Sequence, residues 1–172
     1  MDDNTPDWVK REKREETEAE REAAKQSQRV FAAARSIAAD GPDFWKRFVA
    51  QVIVNTDALE VNFTRSMDEK IVGFMTAEYD LTHTTEWSCH IQVERRSVRF
   101  SPDSRQLHLY YRPSGFIIRR AVQFSGQEYP VDITLRGDEV CVEVGGSVLT
   151  AEEFANHTVE SMVKQINFPR PQ

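Results

Sequence analysis

Between Ile91 and Arg120 stand seven arginines, Arg95, Arg96, Arg99, Arg105, Arg112, Arg119 and Arg120, against Glu94 and Asp103 alone. That local charge of +5 leaves −11 on the rest of a chain whose total is −6. Guanidinium forks beside an aromatic ring suit phosphate, carboxylate or an acidic protein surface. The spacing sharpens this. In an extended strand His108, Tyr110 and Arg112 point to one side. A two-residue loop at Pro113-Ser114 would set Arg112 opposite Gly115, Tyr110 opposite Ile117 and His108 opposite Arg119. Cross-strand partners share a face, so His108, Tyr110, Arg112 and Arg119 would cluster, with Arg96 and Arg99 near one edge. These six residues are the candidate contact for an acidic ligand. The plainer reading is a solvated sheet face, where arginine is common. Arg120 shares parity with Phe116, Ile118 and Val122, which puts it at the core margin or against a buried acid.

Catalytic chemistry finds little to stand on. Asp80, His83 and Glu86 are close in sequence and could present two or three metal ligands, but a metal site normally needs three protein ligands and a second shell behind them. Nothing elsewhere supplies a matching pair, so the segment reads as a polar connection. Cys89 adjoins His90, yet strand neighbours point to opposite faces and cannot easily hydrogen-bond. Cys89 shares parity with Trp87 and Ile91 and reads as a small buried hydrophobe, whereas Cys141 falls with Glu139 and Glu143 on a wetter face. No GxSxG, HExxH, CxxC, Walker loop or GxGxxG occurs. Gly145-Gly146 is followed by Ser147, Val148 and Leu149, with no lysine placed to cradle a phosphate. No catalytic residue, metal site or cofactor is expected.

Composition bounds the rest. The chain has 172 residues, 40% of them hydrophobic, enough to bury a core. A pI near 5.3 argues against nucleic acid as a partner. No apolar run approaches the roughly 18–20 residues that cross a bilayer. The opening MDDNTPDW has no basic stretch leading into an apolar one, so a cytoplasmic protein with reduced thiols is expected. The sequons at Asn62 and Asn156 then carry no glycan.

These side chains need elements to position them. Residues 1–40 read as a polar helical extension, and residues 41–172 as one α+β domain. From residue 7 to about 39 the chain holds strong helix formers and neither Gly nor Pro. Its first half is almost wholly polar, and docking is expected only through residues 30–37. Asp40-Gly41-Pro42 predicts a break, with Gly41 leaving one helix and Pro42 opening the next, antiparallel to it. In that second helix Trp45, Val49, Val52, Thr56, Leu59 and Phe63 form an apolar stripe, widened by Phe44, Phe48 and Ile53.

After Ser66 the hydrophobic period becomes two for about eighty residues. Six strands are expected, near residues 70–76, 87–94, 107–111, 116–124, 131–135 and 140–144, with a bulge or turn at Arg95-Arg96-Ser97. Short links make the sheet an antiparallel meander. Thr150 and Glu153 form a capping box that opens a last helix, with Phe154, Ala155, Val159, Met162, Val163 and Ile166 on its apolar face. The expected fold is α+β: two N-terminal helices, about six antiparallel strands, and a C-terminal helix packed with the second helix on one sheet face.

Function follows from what is concentrated and what is missing. The leading expectation is a non-enzymatic interaction or assembly module, using the charged helix and the Arg-bearing sheet face. Its partner would be another protein, or a second copy meeting it through the N-terminal helices. The alternative is a small-ligand-binding protein or small enzyme with a pocket between sheet and helices, lined by Trp45, Trp87, Tyr111 and Phe124.

Overall fold

The computed structural model describes residues 6–62, 64–66, 69–78, 86–97, 103–112, 117–122 and 128–167. Of these, 60–62, 64–66, 69, 117–122, 128–130 and 167 are described by their backbone. The architecture is α+β. A long helix α1 (Asp7–Asn62) precedes strands β1 (Thr64–Ser66), β2 (Glu69–Glu78), β3 (Trp87–Ser97), β4 (Asp103–Arg112), β5 (Ile117–Val122), β6 (Glu128–Arg136), β7 (Glu139–Val144) and β8 (Ser147–Leu149), and helix α2 (Ala151–Asn167) closes the order.

The expected break at Gly41-Pro42 is not there. One helix of 56 residues runs through both, with Pro42 in its interior, so there is no antiparallel pair of N-terminal helices. An interior proline loses one backbone hydrogen bond and crowds the carbonyl four residues back, at about 3 kcal/mol. Tertiary packing outweighs that cost. Ile37 on one side of the proline and Phe44, Trp45, Phe48 and Val49 on the other pack into the same core. Gly41 is helical as well, and its lack of a side chain has a different purpose from a cap. A Cβ there would overlap Tyr111 Oη.

By its contacts the chain divides after Ser36. Within residues 6–36 the helix opens on the Pro6 carbonyl, which accepts from Val9 N at 3.0 Å. Its side chains face solvent: Val30 is 58% exposed and Phe31 75%.

In the second unit the sheet follows the chain, β1 to β8 in sequence order and antiparallel throughout. The six expected strands correspond to β2–β7, and two three-residue strands extend the sheet. β8 arises because Gly145 (φ 57°) and Gly146 (φ 80°) both take the left-handed region, so Val144 pairs directly with Ser147. Only glycine does this cheaply twice in a row. A bulge or turn at residues 95–97 is absent, since the β2–β3 register is unbroken from Glu69 opposite Ser97 to Glu78 opposite Ser88. Val98 and Phe100, which prompted it, lie outside the described residues.

The core lies on the odd-numbered face of β2–β4. Ile71, Trp87, Cys89, Ile91, Val93, Leu107, Leu109 and Tyr111 meet Phe44, Trp45, Phe48, Val49 and Val52 of α1 and Phe154, Ala155, Val159, Met162, Val163 and Ile166 of α2. Trp45 stacks on Tyr111 at 5.5 Å, Trp87 tilts against Tyr111 at 5.6 Å, and Phe48 stacks on Phe154 at 4.9 Å. The apolar stripe of α1 thus matches its expected faces, except that Ile53 points to solvent and Phe63 lies outside the described residues. Gly73 lets α1 approach β2, because a Cβ there would sit 2.8 Å from Thr56 Cβ and 3.0 Å from Leu59 Cδ1. Polar contacts fix the rest: Arg47 reaches Glu139 at 3.4 Å and Glu152 at 3.6 Å. At the start of α2, Thr150 N donates to Glu153 Oε2 at 2.8 Å and Glu153 N donates to Thr150 Oγ1 at 3.3 Å. This is the reciprocal capping box read in the sequence.

Candidate functional site

The strand period that buries the odd positions of β2–β4 turns the even ones to the other face. The core residues of α2 and of the second half of α1 cluster with the odd positions. Row by row, Glu78, Ser88, Tyr110 and Arg119 stand level across β2–β5, as do Thr76, His90, His108 and Ala121. Phe74, Gln92 and Gln106 form the next row.

The β4–β5 register differs from the expected one. Arg112 pairs with Ile117, Tyr110 with Arg119 and His108 with Ala121, a displacement of two residues from a Pro113-Ser114 loop. The loop residues lie outside the described chain. A shift of two keeps every residue on its face, because the side-chain period is two. His108, Tyr110 and Arg112 keep one parity along β4, and the backbone of Arg119 is level with Tyr110 rather than His108. Arg120 pairs with Leu109, on the side of the helices.

Around these positions the contacts are specific. Arg112 Nε donates to Glu86 Oε2 at 2.7 Å, with half the arginine side chain exposed (48%). Arg96 is similarly open (49%); its Nε lies 3.5 Å from Glu94 Oε1, and its guanidinium carbon lies 5.2 Å from the centre of the Phe74 ring. That ring contact is a cation–π arrangement. Arg99 lies outside the described residues. His108 stacks on His90 with ring centres 4.1 Å apart and planes at 10°, and Tyr110 continues the ladder at 6.4 Å and 14°. Burial, then the charge of His90, holds the His108 imidazole below the usual histidine value. Gln106 Nε2 donates to Gln92 Oε1 at 3.4 Å beside the pair.

His90 is the residue that sequence reasoning missed. Parity separates it from Cys89, as expected, but its partner His108 emerges only once the β3–β4 register is known. That register depends on the length of the β3–β4 connection, where Ser101-Pro102-Asp103-Ser104 reads as a turn although Asp103 and Ser104 belong to β4.

The other candidates resolve differently. Burial pushes the Cys89 thiol up to about 12, which leaves it inert. Cys141 pairs with Thr134 but is buried rather than wet, and burial raises its thiol too. Asp80 and His83 lie outside the described residues, and Glu86 is engaged by Arg112. Among the described residues no three His, Cys, Asp or Glu side chains converge on a metal-sized site. Trp45 stacks on Tyr111 and Trp87 tilts against it, all three buried in the core; Phe124 lies outside the described residues. Among the described residues no helix is long and apolar enough to cross a membrane.

What remains is a part-buried face on which Val72 is buried and Phe74 exposed, with guanidinium groups near its margins and stacked rings at its centre. No family model matches the chain, and no curated protein or solved structure matches it.

Proposed function

We propose that the chain is a non-enzymatic interaction module that binds an anionic partner on the even-numbered face of β2–β5. The observation carrying this reading is the common parity of His108, Tyr110 and Arg112 along β4, with the backbone of Arg119 level with Tyr110. Arg96 and Arg112, each about half exposed, are held by Glu94 and Glu86, whose side chains are 21% and 34% exposed. An exposed ion pair is worth only about 0–1 kcal/mol. An incoming carboxylate or phosphate therefore displaces the glutamate at small cost and can take both prongs of the fork. The rings beside the arginines supply apolar area that strengthens such contacts. The charged helix of residues 6–36, with Val30 and Phe31 exposed, serves as a second contact surface for a protein partner or another copy. The module acts in the cytoplasm.

The test is charge reversal. Arg112→Glu with Arg119→Glu is expected to abolish binding to immobilised polyphosphate at low salt, where the wild-type chain is retained. Retention unchanged by the pair of substitutions would remove this face from the function.

A further inference from the structure

The centre of the proposed binding face is held by two imidazoles. His90 and His108 are cross-strand partners whose rings lie 4.1 Å apart and nearly parallel. Two imidazolium charges at that separation repel. The neighbours do little to relieve the second charge. From β2, Thr76 is level with His90, with Glu78 and Phe74 one row to either side. Along β3, Ser88 and Gln92 flank His90 on its face, and Glu94 follows. On β4, Gln106 and Tyr110 flank His108. On β5, Ala121 is level with His108 and Arg119 stands one row away, while Glu128 of β6 pairs with Ala121. By register, no carboxylate of β2–β5 is level with the pair. His90 Nε2 is also buried, with no hydrogen-bond partner among the described residues.

We propose that the His90–His108 pair is a proton-operated element of this face: holding at most one proton it stays stacked, and a second proton parts the rings and adds positive charge beside Tyr110 and Arg119. The element regulates the anion-binding site proposed above, and its ligand dependence rests on that reading. In mildly acidic solution the face becomes more cationic and less tightly ordered at its centre. Both changes favour a flexible polyanion. The depressed His108 imidazole agrees with the pairing, since the charge of His90 is one of its two causes.

The titration of the two rings, followed by NMR of the intact chain, tests the element without any ligand. In the wild type each ring is expected to show two inflections, with the stacked-ring shifts lost at the lower one. In His90→Gln the remaining His108 is expected to titrate in one step, at higher pH than in the wild type. Independent single-step titration of both wild-type rings would overturn the proposal, and so would a His108 midpoint unmoved by His90→Gln. The wild-type curve decides the matter even if the variant fails to fold.

Binding to inorganic polyphosphate at pH 7.5 and 5.5 tests the linkage. The wild type is expected to bind about tenfold tighter at the lower pH, as two added charges beside the contact allow. His90→Gln with His108→Gln is expected to lose that gain. A gain that persists in the double variant overturns the linkage. Absence of wild-type binding at both pH values overturns the anion-binding reading, and the NMR titration alone then decides whether the histidine pair is a coupled element.

Discussion

Replacing Gly41 by alanine separates an uninterrupted helix from a broken one. In the structure Gly41 is an interior helical residue under the Tyr111 ring, and an added Cβ would overlap Tyr111 Oη while lying 3.4 Å from Cζ. Two effects oppose each other. Alanine in a helix interior gains roughly 0.5–1 kcal/mol over glycine. Relieving the overlap in a packed core costs about 1–3 kcal/mol. Gly41→Ala alone is therefore expected to destabilise, by up to about 2 kcal/mol. Tyr111→Phe removes the clashing oxygen and leaves the ring carbon at an ordinary contact distance. In that background Gly41→Ala is expected to stabilise by roughly 0.5–1 kcal/mol. The coupling, about 1–3 kcal/mol, is read from urea unfolding of the four proteins at constant slope. A helix that stopped at Gly41 would hold it in a left-handed cap, where alanine costs the same whichever residue stands at 111. Equal destabilisation in both backgrounds would refute the continuous helix.

Other outcomes follow from the same packing and charges. Trp45→Ala and Leu59→Ala each empty a buried site and are expected to cost roughly 2–5 kcal/mol; a melting temperature unmoved by either would mean the core lies elsewhere. Gly73→Ala drives a methyl against Thr56 and Leu59, so a loss of about 1–3 kcal/mol is expected by urea unfolding, and a gain would contradict the close approach of α1 and β2. Thr150→Ala removes one arm of the capping box and should cost roughly 0.5–2 kcal/mol in the same assay; no change would deny the cap its role. The last concerns pH. The folded chain binds a proton at His108 more weakly than the unfolded chain does, so the unfolded state holds more protons below the ordinary histidine value of about 6.5. Stability should fall as pH drops through that value toward the depressed folded one, and His108→Gln should flatten the decline.

Period-two alternation placed the six main strands, and the inward parity of Trp87, Cys89, Ile91, Leu107, Leu109 and Tyr111 matches the core. These features are local, as is the Thr150–Glu153 box, and local features are written in short stretches of chain. What failed was settled at a distance. Gly41-Pro42 carries every local mark of a helix end, and only the packing of Ile37 and Phe44 into one core keeps the helix running. Tyr111, seventy residues away, explains the glycine. The β4–β5 pairing shifted by two because the connection is longer than its Pro-Ser signal implied, and the even shift left the arginine-bearing face intact. His90 joined that face because register, invisible in single-strand parity, set it beside His108.

The central claim is that anion binding belongs to one face of the sheet, so the control must match charge as well as fold. Arg112→Glu with Arg119→Glu reverses two charges there. Lys46→Glu with Lys164→Glu reverses two on the exposed sides of α1 and α2. The net charge of the two proteins is then equal. Polyphosphate affinity measured against salt is predicted to collapse in the first and to stay near wild type in the second. Equal affinity in both variants would contradict the account.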